Sequence, residues 1–172
     1  DVKAAVKAVE NDLSNNTTGE DPGAAIDAIV LVKKSDGKKY YAQTLEDYNP
    51  ALPAQNNDGT KALGAPDAFA NYPDTTTCDA TSPGGPYVGL GASGGYIIVG
   101  MGEKIEAGDE LQVLEVGGCE YAAGKQAKVE EIKVQVSVAK EPGNAHWQVV
   151  VASGTGPLVK GTVPTLPEVK AQ

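Results

Sequence analysis

The sequence predicts an all-β protein, an antiparallel β-sandwich of the jelly-roll kind that carries an N-terminal arm. Short apolar stretches recur between clusters of Gly, Pro, Asn and Asp, as they do in sandwiches whose strands are joined by tight turns. Ile132, Val134, Val136 and Val138 alternate with Lys133, Gln135 and Ser137, a period of two that buries one face and wets the other. Strands do not alternate with helical segments, so a parallel α/β sheet is not expected.

The elements follow in order, with an arm and linker over 1–24, a sandwich domain over 25–164 and an extended tail over 165–172. In "DVKAAVKAVENDL", Val2, Ala5, Val6, Val9 and Leu13 fall at helical spacing, and the alanines agree with a helix. A lone helix of this length is marginal in water, so the arm must dock on its own domain or on a neighbouring molecule. "SNNTTGEDPG" breaks the pattern and reads as a linker. Its Asn15 and Asn16 head N-x-T sequons that matter on export. "AAIDAIVLVKK" is a strand, and a turn at Ser35-Asp36-Gly37 joins it in a hairpin to a second strand over Lys38–Thr44. From Leu45 to Pro86 the chain is rich in Pro, Asn, Asp, Gly and Thr and lacks periodicity. A loop of that length usually serves a function. Further strands are expected at Tyr87–Leu90, Tyr96–Val99, Leu111–Val116 and through Ile132–Val138. After a turn at Glu141–Asn144 come strands through Trp147, Val149 and Val151 and across "PLVKGTV".

"GLGASGG", residues 89–95, satisfies two enzyme patterns at once, the G-x-G-x-x-G dinucleotide loop and the G-x-S-x-G nucleophile elbow. Both need a helix directly afterwards. "YIIVG" follows instead, and β-branched and aromatic residues favour a strand. The segment is therefore read as a hairpin turn between Tyr87–Leu90 and Tyr96–Val99, with glycines supplying positive φ. Ser93, Asp109 and His146 stand in the chain order of an α/β-hydrolase triad, but a chain of 172 residues without crossover helices cannot build that sheet. No catalytic residue is assigned, and the protein is not expected to be an enzyme.

Charge narrows the partners. The net charge is −9, and all 14 basic residues are lysine. Lacking arginine and a cationic face, the chain is not expected to bind nucleic acid. The longest apolar runs have strand length, so no membrane span is expected. No signal peptide is seen, and the start at Asp1 fits a processed or edited product. Cys78 and Cys119 are read as a disulfide in an exported protein, or else as two buried thiols. With one histidine and no Cys-x-x-Cys, zinc is not expected. The acidic loops instead offer the hard oxygen donors that Ca2+ prefers, although no EF-hand pattern is present. Asp47, Asp58, Asp67, Asp109 and Glu115 are the candidate calcium ligands.

The segment from Tyr48 to about Val151 resembles a domain recurrent in bacterial and archaeal cell-surface proteins. The resemblance is carried in order by Ala62–Asp67 ("ALGAPD"), Gly89–Ile98 ("GLGASGGYII"), Gly108–Val116 and Val134–Trp147. It departs from the family in carrying Ile, Val and Leu at the usual phenylalanine positions, and in the arm before Ala25. A small acidic jelly roll with such an arm is also similar to the cannula subunits of hyperthermophilic archaea. These build extracellular tubes in the presence of calcium, a terminal segment of one subunit completing the sheet of the next. The resemblance implies an extracellular or cell-surface homopolymer, assembled head to tail by strand exchange with calcium at the contacts. The N-terminal arm is favoured over the tail as the exchanged element. A calcium-containing carbohydrate-binding module is the alternative, with glycan a possible partner, since jelly rolls often present aromatic rings to sugars.

Overall fold

A computed structural model describes residues 4–10, 23–51, 56–69, 72–73, 75, 86–116, 120–121, 125–126, 130–137 and 146–167. Among the described residues twelve strands run in chain order: β1 (Ala5–Glu10), β2 (Ala25–Val32), β3 (Lys39–Tyr41), β4 (Thr44–Asn49), β5 (Val88–Gly89), β6 (Tyr96–Gly100), β7 (Glu110–Glu115), β8 (Glu120–Tyr121), β9 (Lys125–Gln126), β10 (Glu131–Ser137), β11 (Gln148–Thr155) and β12 (Leu158–Thr162). A short 3-10 helix, Gly59–Ala62, interrupts the segment between β4 and β5. No α-helix occurs among the described residues.

Two antiparallel sheets make a sandwich. The first has the order β11-β10-β1-β6-β4; the second has β12-β7-β2-β3, with β5 also paired to β2. β8 and β9 pair with each other in a separate two-stranded sheet. Val6, Ala8, Ile97, Val99, Ile132, Val134 and Val136 of the first sheet pack against Ile26, Ile29, Leu31, Leu111 and Val113 of the second. Each fully buried branched side chain contributes about 1.5–3 kcal/mol of hydrophobic stabilisation. β10 keeps the alternation read from its sequence, with Ile132, Val134 and Val136 buried and Lys133 and Gln135 half-buried.

The structure corrects the reading of the arm. Residues Ala5–Glu10 form a strand, not a helix, and it lies at the centre of the first sheet. β1 pairs antiparallel with β10 on one edge (Val6 opposite Val136, Ala8 opposite Val134) and with β6 on the other (Val6 opposite Val99, Ala8 opposite Ile97). The alanines and valines fit either period. A strand bonded on both edges, with Val6 and Ala8 wholly buried, outweighs a helix propensity worth only tenths of a kcal/mol per residue.

A second correction concerns the glycines. β5 and β6 do not form a hairpin, because β5 pairs with β2 in the second sheet and β6 with β1 and β4 in the first. Residues 91–95 carry the chain from one sheet to the other, with Gly91 at φ 82° and Gly94 at φ 91°. The expected second strand over Lys38–Thr44 is broken at Ala42–Gln43, and Thr44–Asn49, partly read as loop, pairs with β6.

Part of the long segment after β4 is packed against the sheet. Ala68, Phe69 and Tyr87 join Ala25, Ala28, Val30, Leu114 and Val116 in a second, smaller core. It gives the second sheet a cover of its own, as clusters beneath long loops do.

Candidate functional site

The candidate ligands sit on different elements of the fold. Asp47 is exposed on β4, where it accepts hydrogen bonds from its neighbour Tyr48 N (2.9 Å) and from the Tyr96 hydroxyl (2.9 Å). Asp58 caps the 3-10 helix, accepting from Thr60 N (3.0 Å) and Thr60 Oγ1 (2.6 Å). These bonds hold its carboxyl below the usual value. Glu115, wholly buried at the end of β7, accepts from Ala25 N at 3.4 Å. Gly156 lies so close that a Cβ there would come within 2.1 Å of the other Glu115 oxygen. Among the described residues no group of three or more His, Cys, Asp or Glu is arranged to hold a metal ion. Cys78 and Cys119 lie outside the described residues.

Asp109 has a structural setting. Its Oδ2 accepts from Lys33 Nζ at 2.6 Å and Glu106 N at 2.9 Å, and its Oδ1 accepts from Lys34 N at 3.0 Å. Burial works to raise its carboxyl, but the Lys33 ammonium and the two N–H groups outweigh burial and hold it below the ordinary value. Its oxygens are thus engaged by lysine and backbone rather than by histidine. Ser93 is exposed in the crossover turn, and His146 is exposed just before β11.

Asp67 meets a partner that the sequence reading did not single out. Asp27, on β2, is 1% exposed, and its Oδ1 accepts from the backbone N–H groups of Ala68 (3.2 Å) and Asp67 (3.3 Å). Its Oδ2 is buried and has no hydrogen-bond partner among the described residues. Burial pushes the Asp27 carboxyl up to about 7; the two N–H groups oppose this, and the Asp67 carboxyl alongside adds to it. The backbone is irregular here. Ile26 faces Glu115 and Ala28 faces Leu114, so Asp27 is the extra residue of a β-bulge. A single Asp inside the apolar run "AIDAIVLV" was the available signal, since an acid at a core position needs a partner.

The glycine-rich segment holds the end of β1. Glu10 N donates to Gly95 O at 2.8 Å, and Glu10 O accepts from Gly94 N at 3.0 Å. The buried Glu10 carboxylate accepts from Ala24 N, while Leu90 N donates to Ala24 O at 2.9 Å. In this fold "GLGASGG" leads into strand β6 rather than into a helix, and it is where β1 is anchored.

On the outer face of the first sheet, the Lys7 ammonium lies 4.2 Å from the centre of the Tyr96 ring and 5.7 Å from that of Trp147. Burial lowers the Lys7 value, with Asp47 opposing and Lys133 adding to the fall.

No protein-family model, curated protein or solved structure matches the chain.

Proposed function

We propose that the protein is a structural subunit of an extracellular filament or tube, a jelly-roll building block that assembles head to tail by exchanging β1, with calcium at the contacts. The observation that carries this reading is the position of β1. It fills a slot between β6 and β10, bonded on both edges, and joins β2 through residues 11–24. Fully extended, a segment of that length reaches at most about 50 Å. Withdrawn, β1 would leave the first sheet as two separate pairs, β11-β10 and β6-β4, with an apolar groove between them. The β1 of a second molecule carries the same donors, acceptors and side chains, so it can fill that groove equally well. Such a contact is heterologous and propagates instead of closing. Divalent cations would offset the repulsion between subunits of charge −9, and Asp47 and Asp58 are exposed carboxylates suited to bridge them.

Light scattering and electron microscopy with calcium and with chelator test this reading. Polymers should form with calcium, and an added peptide of residues 1–13 should cap them. A monomer at every calcium concentration would refute the proposal.

A carbohydrate-binding module is the second reading, favoured by Tyr96 and Trp147 flanking Lys7 on one sheet face. On this reading a glycan array gives hits that Trp147→Ala removes; an array without hits eliminates it.

A further inference from the structure

We propose that Asp27 and Asp67 form a site for a hard divalent cation that fastens the segment around Asp67–Phe69 onto β2. A buried carboxylate is normally neutralised by a lysine, an arginine, a full set of hydrogen bonds or an ion, because an isolated charge is strongly disfavoured away from water. Asp27 has half of such a set. One oxygen takes two long backbone hydrogen bonds, and the other has no hydrogen-bond partner among the described residues. No lysine pairs with it among the described residues; the salt bridges there engage Asp109 and Glu106. The acidic side chain beside it is Asp67; a hydrogen bond between the two carboxyls favours the protonated form of Asp27, and once Asp27 ionises the second negative charge makes the uncompensated state worse.

Two carboxylates in this position can share a proton or hold a cation. The donors are oxygens alone, which suits calcium or magnesium over softer metals. Asp67 is exposed and supplies a route of entry, while the β-bulge at Asp27 opens the ladder at the point where the ion would sit. A cation there would tie β2 to the backbone leading into Phe69, and so to the second core. The case for a cation at the ionised pair stands on this geometry, whereas its identity as calcium rests on the proposed function.

The test uses the full chain, Asp27→Asn and Asp67→Asn. Each is melted in chelator, in calcium chloride and in magnesium chloride above the pH at which Asp27 ionises, and bound ions are counted by titration calorimetry. Asp27→Asn keeps the shape and the acceptor for the two N–H groups but removes the charge. The wild type should gain melting temperature with the cation. Asp27→Asn should lose that gain, bind one ion fewer, and match or exceed the wild type in chelator. Asp67→Asn should bind about tenfold more weakly or worse. Its side chain is exposed, so it carries the comparison should Asp27→Asn fail to fold. Equal ion counts and equal gains in all three proteins would overturn the proposal. Polymer formation is read separately by light scattering. A wild type that binds the Asp27-dependent ion yet never polymerises contradicts the assembly reading alone.

Discussion

Asp109, just before β7, holds Lys33, just after β2, in an ion pair of 2.6 Å, with 2% and 14% of the two side chains exposed. The pair ties together adjacent strands of the second sheet where both leave the ladder. Glu106 also reaches Lys33, at 3.2 Å, but is half exposed and adds little. Asp109→Asn would leave the lysine without its closest countercharge. The expected cost is about 2–3 kcal/mol in urea unfolding, whereas Glu106→Gln should cost under about 1 kcal/mol.

The two buried aspartates should give pH dependences of opposite sign. The Asp109 carboxyl is depressed, so its stabilisation is present above the unfolded value of about 4 and is lost as pH falls through the lower folded value. The Asp27 carboxyl is raised to about 7. In chelator, its contribution is present below about pH 4 and is lost as pH rises towards about 7. Unfolding measured across that window should show stability declining in the wild type and a flatter profile in Asp27→Asn.

Gly95→Ala should be far more damaging than its size suggests. A Cβ at Gly95 would come within 1.8 Å of the Leu90 carbonyl oxygen, backbone that cannot step aside. Ser93→Ala in the same turn, at an exposed side chain, should change stability by under about 0.5 kcal/mol. Melting curves of the two variants check this structural role of Gly95.

Much of the sandwich was legible because its strands carry their own period. Ile132 to Val136 alternate cleanly, and the Ser35-Asp36-Gly37 turn forecast the β2–β3 hairpin. Where sequence and structure part, a local signal was ambiguous or the deciding partner lay far away. Val6, Val9 and Ala5 satisfy both a helix and a strand, and only the edges of β6 and β10 decide between them. Leu90 and Gly95 look like the two sides of a hairpin, yet one bonds Ala24 and the other Glu10. The acidic residues posed the harder problem. Sequence marked Asp109 as a loop acid, whereas Lys33 makes it a structural ion. Asp27 was hidden inside a strand, although its place in an apolar run was the visible sign of an unusual carboxylate.

Glu10→Ala should loosen the end of β1. The change removes the carboxylate that receives Ala24 N, in a site where Glu10 is 2% exposed. The expected loss is about 1–3 kcal/mol, with amide exchange increasing first along β1.

Cross-linking across the β1–β6 register tests strand exchange most directly. Val9 and Tyr96 are directly opposite, so cysteines at these positions can form a disulfide. One protein would carry Val9→Cys and another Tyr96→Cys, mixed, polymerised with calcium and oxidised, with the joined peptides identified by mass spectrometry. Exchange predicts a bond between residue 9 of one variant and residue 96 of the other, formed in calcium and absent in chelator. A bond that forms only when both cysteines sit in the same chain would contradict it.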